Sequence, residues 1–120
     1  MKIASLLAGL LLAYGGPSFA GPPLWSGDQL LSYYRAYVST STSSGKSGDV
    51  ASFALYLGYI RGTYEVLAVP PDTTMCIDNS VTLKDIGDVV GRYLLENPQQ
   101  LNLPAGILVR KSLKDAFPCN

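Results

Sequence analysis

Apolar residues along this chain recur three and four apart, the spacing of one face of a helix, and no run alternates with the period of two that a half-buried strand needs. Ser26 with Gln29 three residues later forms a candidate capping box, and Leu30, Leu31, Tyr34 and Val38 follow on one side, which predicts a first helix over about 27–39. The stretch 40–48 repeats Ser and Thr around two glycines, can bury nothing, and reads as a mobile loop. A second helix is expected from Asp49, with Val50, Phe53, Leu57, Ile60, Tyr64 and Leu67 on its inward stripe until Pro70-Pro71 stops it. This element is mostly apolar, but Arg61, Glu65 and the tyrosines at 56, 59 and 64 favour a buried core helix over a membrane span.

After a polar loop holding Cys76, Thr82 with Asp85 suggests another cap, and Leu83, Ile86, Val89, Val90, Tyr93 and Leu94 form the stripe of a third helix. Asn97 before Pro98 predicts a short turn of helix with proline at its first position. Pro104 opens a last helix, with Ile107, Leu108, Leu113, Ala116 and Phe117 expected to face inward before Pro118 ends it. The fold class is therefore all-α, a small antiparallel bundle of about four helices. Two glycine pairs, Gly58 with Gly62 and Gly87 with Gly91, each lie one turn apart despite the cost of glycine inside a helix. Either the second and third helices cross closely at them, or a glycine face forms a self-association or partner surface.

The first twenty residues read as a cleaved secretory signal peptide: Lys2, an apolar run over 3–13, then Gly15, Gly16 and Pro17 before the small-residue site Ser18-Phe19-Ala20. Such a run is shorter than the ~20 residues a spanning helix requires, so no membrane span is expected after its removal. Residues 21–120 then form a single domain, delivered to the periplasm or beyond, where thiols oxidise. Two cysteines, Cys76 and Cys119, leave one intramolecular pairing, with two unpaired thiols as the alternative. Closing that stretch of about 44 residues would remove about 4 kcal/mol of unfolded-state entropy on the loop model.

Charge and chemistry narrow the function. Nine basic residues less Lys2 leave eight against nine acidic ones, a net charge of −1 with no basic cluster, so nucleic acid is an unsuitable partner. The chain has no His, and two Cys cannot close a zinc shell, so neither a metal site nor a cofactor is expected. Gly45-Lys46-Ser47 imitates the end of a P-loop, but Thr40 stands where its first glycine belongs and no strand precedes it. Ser43-Ser44-Gly45-Lys46 has the S-x-x-K spacing of penicillin-recognising enzymes without their other elements. Asp72, Asp78, Asp85 and Asp88 lack the alternating ligands of a calcium loop and read as loop and helix-start carboxylates. No nucleophile and base can be paired, so the protein is expected to act by binding and not as an enzyme.

Tyr59-Ile60-Arg61-Gly62 within a helix, Cys76-Ile77 followed by Val81-Thr82-Leu83, Val89 to Leu94 leading to Glu96-Asn97-Pro98, and the terminal Leu113 to Cys119 ending Ala-Phe-Pro-Cys occur in order. Over residues 49–119 the chain thereby resembles the Rap/Tai group of type VI secretion immunity proteins. The resemblance implies a small helical periplasmic protein, often a homodimer, that binds a secreted antibacterial effector such as a peptidoglycan-cleaving amidase and blocks it. Members of the group tend to carry a further cysteine pair joining the first two helices; here that neighbourhood reads Ala54-Leu55-Tyr56-Leu57. A small periplasmic chaperone or stress-response protein is the alternative of a different class. If there is an inhibitory surface, the loop 70–80 is its candidate, because a bond at Cys76 would hold it rigid, with Asp72 and Asp78 as candidate partner-binding residues.

Overall fold

The computed structural model describes Gly21 and residues 24–42, 47–70 and 72–120. The expected leader, the centre of the loop at 43–46 with most of both motif matches, and Pro71 lie outside the described residues. Among the described residues are four helices, α1 (Gly27–Thr42), α2 (Ser47–Ala68), α3 (Leu83–Glu96) and α4 (Ala105–Ala116), and a 3-10 turn at Pro98–Gln100. This is the antiparallel four-helix bundle that the periodicity predicts, closed by one disulfide, Cys76–Cys119. The Ser/Thr stretch is less of a loop than its composition suggests, since α1 continues to Thr42 and α2 begins at Ser47. Ser39 and Thr40 donate their hydroxyls back to the Ala36 carbonyl at 2.9 and 2.8 Å, a bond helical backbone offers such residues.

The inward faces differ in detail from the expected stripes. On α1, Leu30, Leu31 and Tyr34 are buried as expected, but Tyr37 completes the face while Val38 is 39% exposed. On α2 the fully buried positions are Tyr56 and Ile60, with Phe53, Leu57, Tyr64 and Leu67 half-buried and Val50 exposed. α3 buries Ile86, Val90 and Leu94. On α4 the sequence Ala105, Leu108, Val109, Ser112, Leu113 forms the buried face, whereas Ile107 and Ala116 point outward. The buried Ser112 hydroxyl is satisfied by donating to the Val109 carbonyl at 2.8 Å.

A cluster of rings joins the first half of the bundle. Tyr56 lies 5.5 Å from Tyr34 and 5.4 Å from Tyr37 between ring centroids, and Tyr37 lies 5.3 Å from Phe53. The Tyr56 hydroxyl donates to the Gly87 carbonyl at 2.5 Å, so α2 is fixed to α3 as well as to α1. Burial, with Tyr34 and Asp88 nearby, pushes the Tyr56 phenol well above its ordinary value, which keeps it a donor at every physiological pH. Gly91 faces the Tyr34 ring so closely that a methyl there would overlap it, and Gly87 faces Tyr56 and Leu57 at 3.4 Å. The glycines of α3 are thus sites of close approach, but only Gly87 faces α2 as the expected crossing requires, while Gly91 makes room for α1 instead. Those of α2 are not: nothing lies within 4 Å of a side chain built at Gly58 or Gly62.

The second half is held by hydrogen bonds at its ends. Thr82 and Asp85 form the capping box of α3, with the Asp85 amide donating to Thr82 Oγ1 at 3.2 Å and the Thr82 amide to Asp85 Oδ2 at 2.9 Å. At the start of α1 the Gln29 amide donates to Ser26 Oγ at 3.3 Å. The same segment meets the entry to α4 through three backbone bonds, Gly27 N to Leu103 O, Asp28 N to Leu101 O and Ala105 N to Trp25 O, at 2.9, 3.0 and 2.6 Å. Gly27 permits this approach, since a Cβ there would overlap the Leu108 side chain and the Leu101 backbone.

Candidate functional site

The segment from the end of α2 to Thr82 crosses the foot of α4, and its sequence explains its shape. The Val69–Pro70 peptide is cis. Asp72 then closes a turn on itself: its Oδ1 accepts from the Thr74 amide at 2.9 Å and the Thr74 hydroxyl at 2.5 Å, and its backbone carbonyl accepts from the Met75 amide at 3.1 Å. Asp78 repeats the device, with Oδ1 accepting from the Ser80 amide at 2.8 Å and its carbonyl from the Val81 amide at 3.0 Å. Between the two turns, Met75 is buried at 9% exposure and pairs with Pro118, the Cys76 amide donates to the Phe117 carbonyl at 2.8 Å, and Cys76 is bonded to Cys119.

A further tie comes from α4. Arg110 donates from its guanidinium to Asp72 Oδ2 at 3.0 Å, across 38 positions of sequence. Thr74 first, and Arg110 after it, hold the Asp72 carboxyl down at about 2. The Ser80 contacts lower Asp78 as well, without a cation. The structure therefore separates the two candidate residues. Asp72 is a brace with a side chain only 13% exposed, while Asp78 sits on an exposed turn beside exposed Asn79 and Ser80. They do not share a ligand, and each is committed to its own turn. Asp85 is equally local, in the capping box, whereas Asp88 pairs with Lys84 at 2.6 Å and also faces the Tyr37 hydroxyl of α1.

Among the open depressions along the segment, two are the larger. One, of about 370 Å³, lies between Val66, Pro70, Asp72, Thr73 and Arg110. The other, of about 630 Å³, lies where Ser80, Val81 and Phe117 meet Tyr34, Asp88 and Arg92. Sequence reasoning found the loop and its disulfide but missed Met75, which anchors the loop from within, and Arg110, which braces it from α4; Phe117 was expected to face inward but not as the hydrogen-bond partner of Cys76. Only the closing Phe117-Pro118-Cys119 carried a local signal, through its cysteine.

Chemically, this arrangement presents a fixed surface of backbone and short polar side chains. Among the described residues no group of three His, Cys, Asp or Glu side chains could hold a metal ion. No helix among them is long and apolar enough to cross a membrane. A loop already ordered by a covalent bond, two turns and an ion pair gives up little conformational freedom when a partner docks on it. A family model described as Rap1a immunity proteins matches residues 26–119. No curated protein matches the chain.

Proposed function

The chain belongs to the Rap1a immunity protein family, and on that premise we propose that it is exported to the periplasm, where it binds a type VI secreted antibacterial effector and blocks it. The stapled loop is the contact surface in this reading. One observation supports that assignment above the rest: residues 72–80 are exposed over most of their length yet tied to α4 and the C-terminus by the Cys76–Cys119 bond, the Cys76–Phe117 hydrogen bond and the Asp72–Arg110 pair. Rigid, exposed loops of this kind make tight inhibitory contacts because the ordering cost is met during folding. A peptidoglycan amidase is the effector class that the family resemblance favours, and family membership also favours a protein that is not itself an enzyme.

The test uses a candidate effector, a small hydrolase if one is found encoded beside this gene or otherwise a peptidoglycan amidase, targeted to the periplasm of a sensitive cell. Co-expression of this protein with its leader should restore growth, and the leaderless form should not. The pair Asp78→Lys and Asn79→Lys, placed on the exposed turn and away from the Asp72 brace, should abolish protection with unchanged helicity. Full protection by that variant would move the contact surface elsewhere, and failure of both parent forms would count against immunity to that hydrolase.

A further inference from the structure

The disulfide lies outside the helical core, with Cys76 exposed and Cys119 half-buried. Among the described residues every buried apolar side chain except Met75 belongs to one of the four helices. Past Met75 the loop has little of its own to hold it: the Cys76 amide makes the one hydrogen bond described from residues 76–80 to another element, to the Phe117 carbonyl at 2.8 Å. The Asp78 turn closes only on Ser80 and Val81. The tail beyond α4 is in the same position. Phe117 caps the helix through the Leu113 carbonyl, but the residues after it are tied down, among the described contacts, by the Met75–Pro118 bridge and the Cys76–Cys119 bond. Ile77 and Phe117 add half-buried contacts with the core. One neutral hydrogen bond and two partly buried side chains are a weak hold against the entropy of these two segments, which therefore depend on each other through the bond.

We propose that the Cys76–Cys119 bond is a redox gate on the surface at 76–80: a dithiol reductant opens it in the folded protein, and opening it frees loop and tail together while the bundle persists. The chemistry is thiol–disulfide exchange, to which exposed disulfides are the most open. A thiolate of the dithiol, of the kind that Cys-x-x-Cys oxidoreductases carry, attacks the sulfur of exposed Cys76; the Cys119 sulfur leaves with the electron pair of the broken bond and takes up a proton. The second thiolate of the dithiol then attacks the reductant's own sulfur in the mixed disulfide, so Cys76 leaves as the second thiol and the reductant becomes a disulfide. Two electrons and two protons pass to the protein. Asp72 stays on Arg110 in both states, so release stops at the near end of the segment. With two cysteines in the chain, reoxidation has one intramolecular outcome, which makes the gate reversible. The surface at 76–80 is thus complete only where thiols oxidise. Its bearing on partner binding rests on the loop being the contact surface, whereas the gate itself does not.

Titration of the oxidised, leader-free protein with dithiothreitol under native conditions, followed by backbone NMR relaxation, tests the gate. Reduction should go to completion with helicity kept, while order parameters at residues 76–80 and 119–120 fall from about 0.85 to below about 0.6 and those on α1 to α4 hold. A bond that resists dithiothreitol until the protein unfolds, a loss of helicity on reduction, or a loop that keeps its order without the bond each overturns the proposal. The double variant Cys76→Ser with Cys119→Ser, which needs no reductant, should show the same loosened segments, and it should bind a peptidoglycan amidase with a dissociation constant about tenfold or more above that of the oxidised protein. If that variant failed to fold, the titration of the unaltered protein would decide the gate. Loosened segments with unchanged amidase affinity uphold the gate and overturn the loop as contact surface. An amidase bound by neither form overturns that effector class, and the relaxation result still decides the gate.

Discussion

The two halves of this bundle are held together by different physics. α1 and α2 meet through rings: Tyr34, Tyr37, Phe53 and Tyr56 stack or tilt against one another with centroids 5.3 to 5.9 Å apart, and the buried Tyr56 reaches the backbone of α3. α3, the loop and α4 meet through directed bonds: a capping box, an ion pair and a disulfide. The contrast shows where a protein of this size spends its specificity. Aromatic packing supplies area and tolerates small shifts. Directed bonds supply position, and they are concentrated where the partner-binding surface is proposed.

Removing the central ring is the strongest way to break the first half. Tyr56→Ala should cost about 3–5 kcal/mol by leaving a cavity between three helices and freeing the Gly87 carbonyl, a loss that urea denaturation would measure. Amide exchange should then rise in α1 and α2 before it rises in residues 72–80. A uniform rise would mean that the two halves do not fold as separable units.

Cys119→Ser addresses the other half. Opening a loop spanning 43 positions should cost about 2–4 kcal/mol, with exchange rising first at the Cys76 amide and its neighbours. This loss should exceed that in a relative with two disulfides, where another covalent tie remains. Unchanged thermal stability would show that the bond makes no contribution.

The smallest effect sharpens the comparison through pH. Asp72 is held at about 2 when folded, below its ordinary 3.8, so its brace stabilises the protein above about pH 4 and is lost as pH falls towards 2. Asp72→Asn should therefore lower stability at pH 6 and make a much smaller difference at pH 2, read by denaturant unfolding at both values. An equal deficit at the two values would mean that the side chain acts by shape and not by charge.

Much of this was legible in the residues because the signals were local. Thr82-x-x-Asp85 announces its capping box over one turn, proline and glycine punctuate the helices, and two cysteines leave one intramolecular pairing. The faces of α2 and α4 were less legible. α2 is apolar on both sides, so periodicity assigns Val50 inward as readily as Tyr56, and the packing of α1 and α3 against one side makes the choice. On α4 a serine occupies a core position because its hydroxyl can return to the helix backbone at Val109, which no hydropathy pattern reveals.

Residue order alone is enough to specify four helices, the proline-marked ends of the last three, the covalent tie and the family, since each depends on neighbours within a few turns or on a pairing without competitors. It could not show that Asp72 belongs to Arg110, that Gly91 makes room for Tyr34, or that Gly58 and Gly62 face outward. Those facts depend on which helix faces meet, and that is decided by the simultaneous burial of side chains distant in sequence.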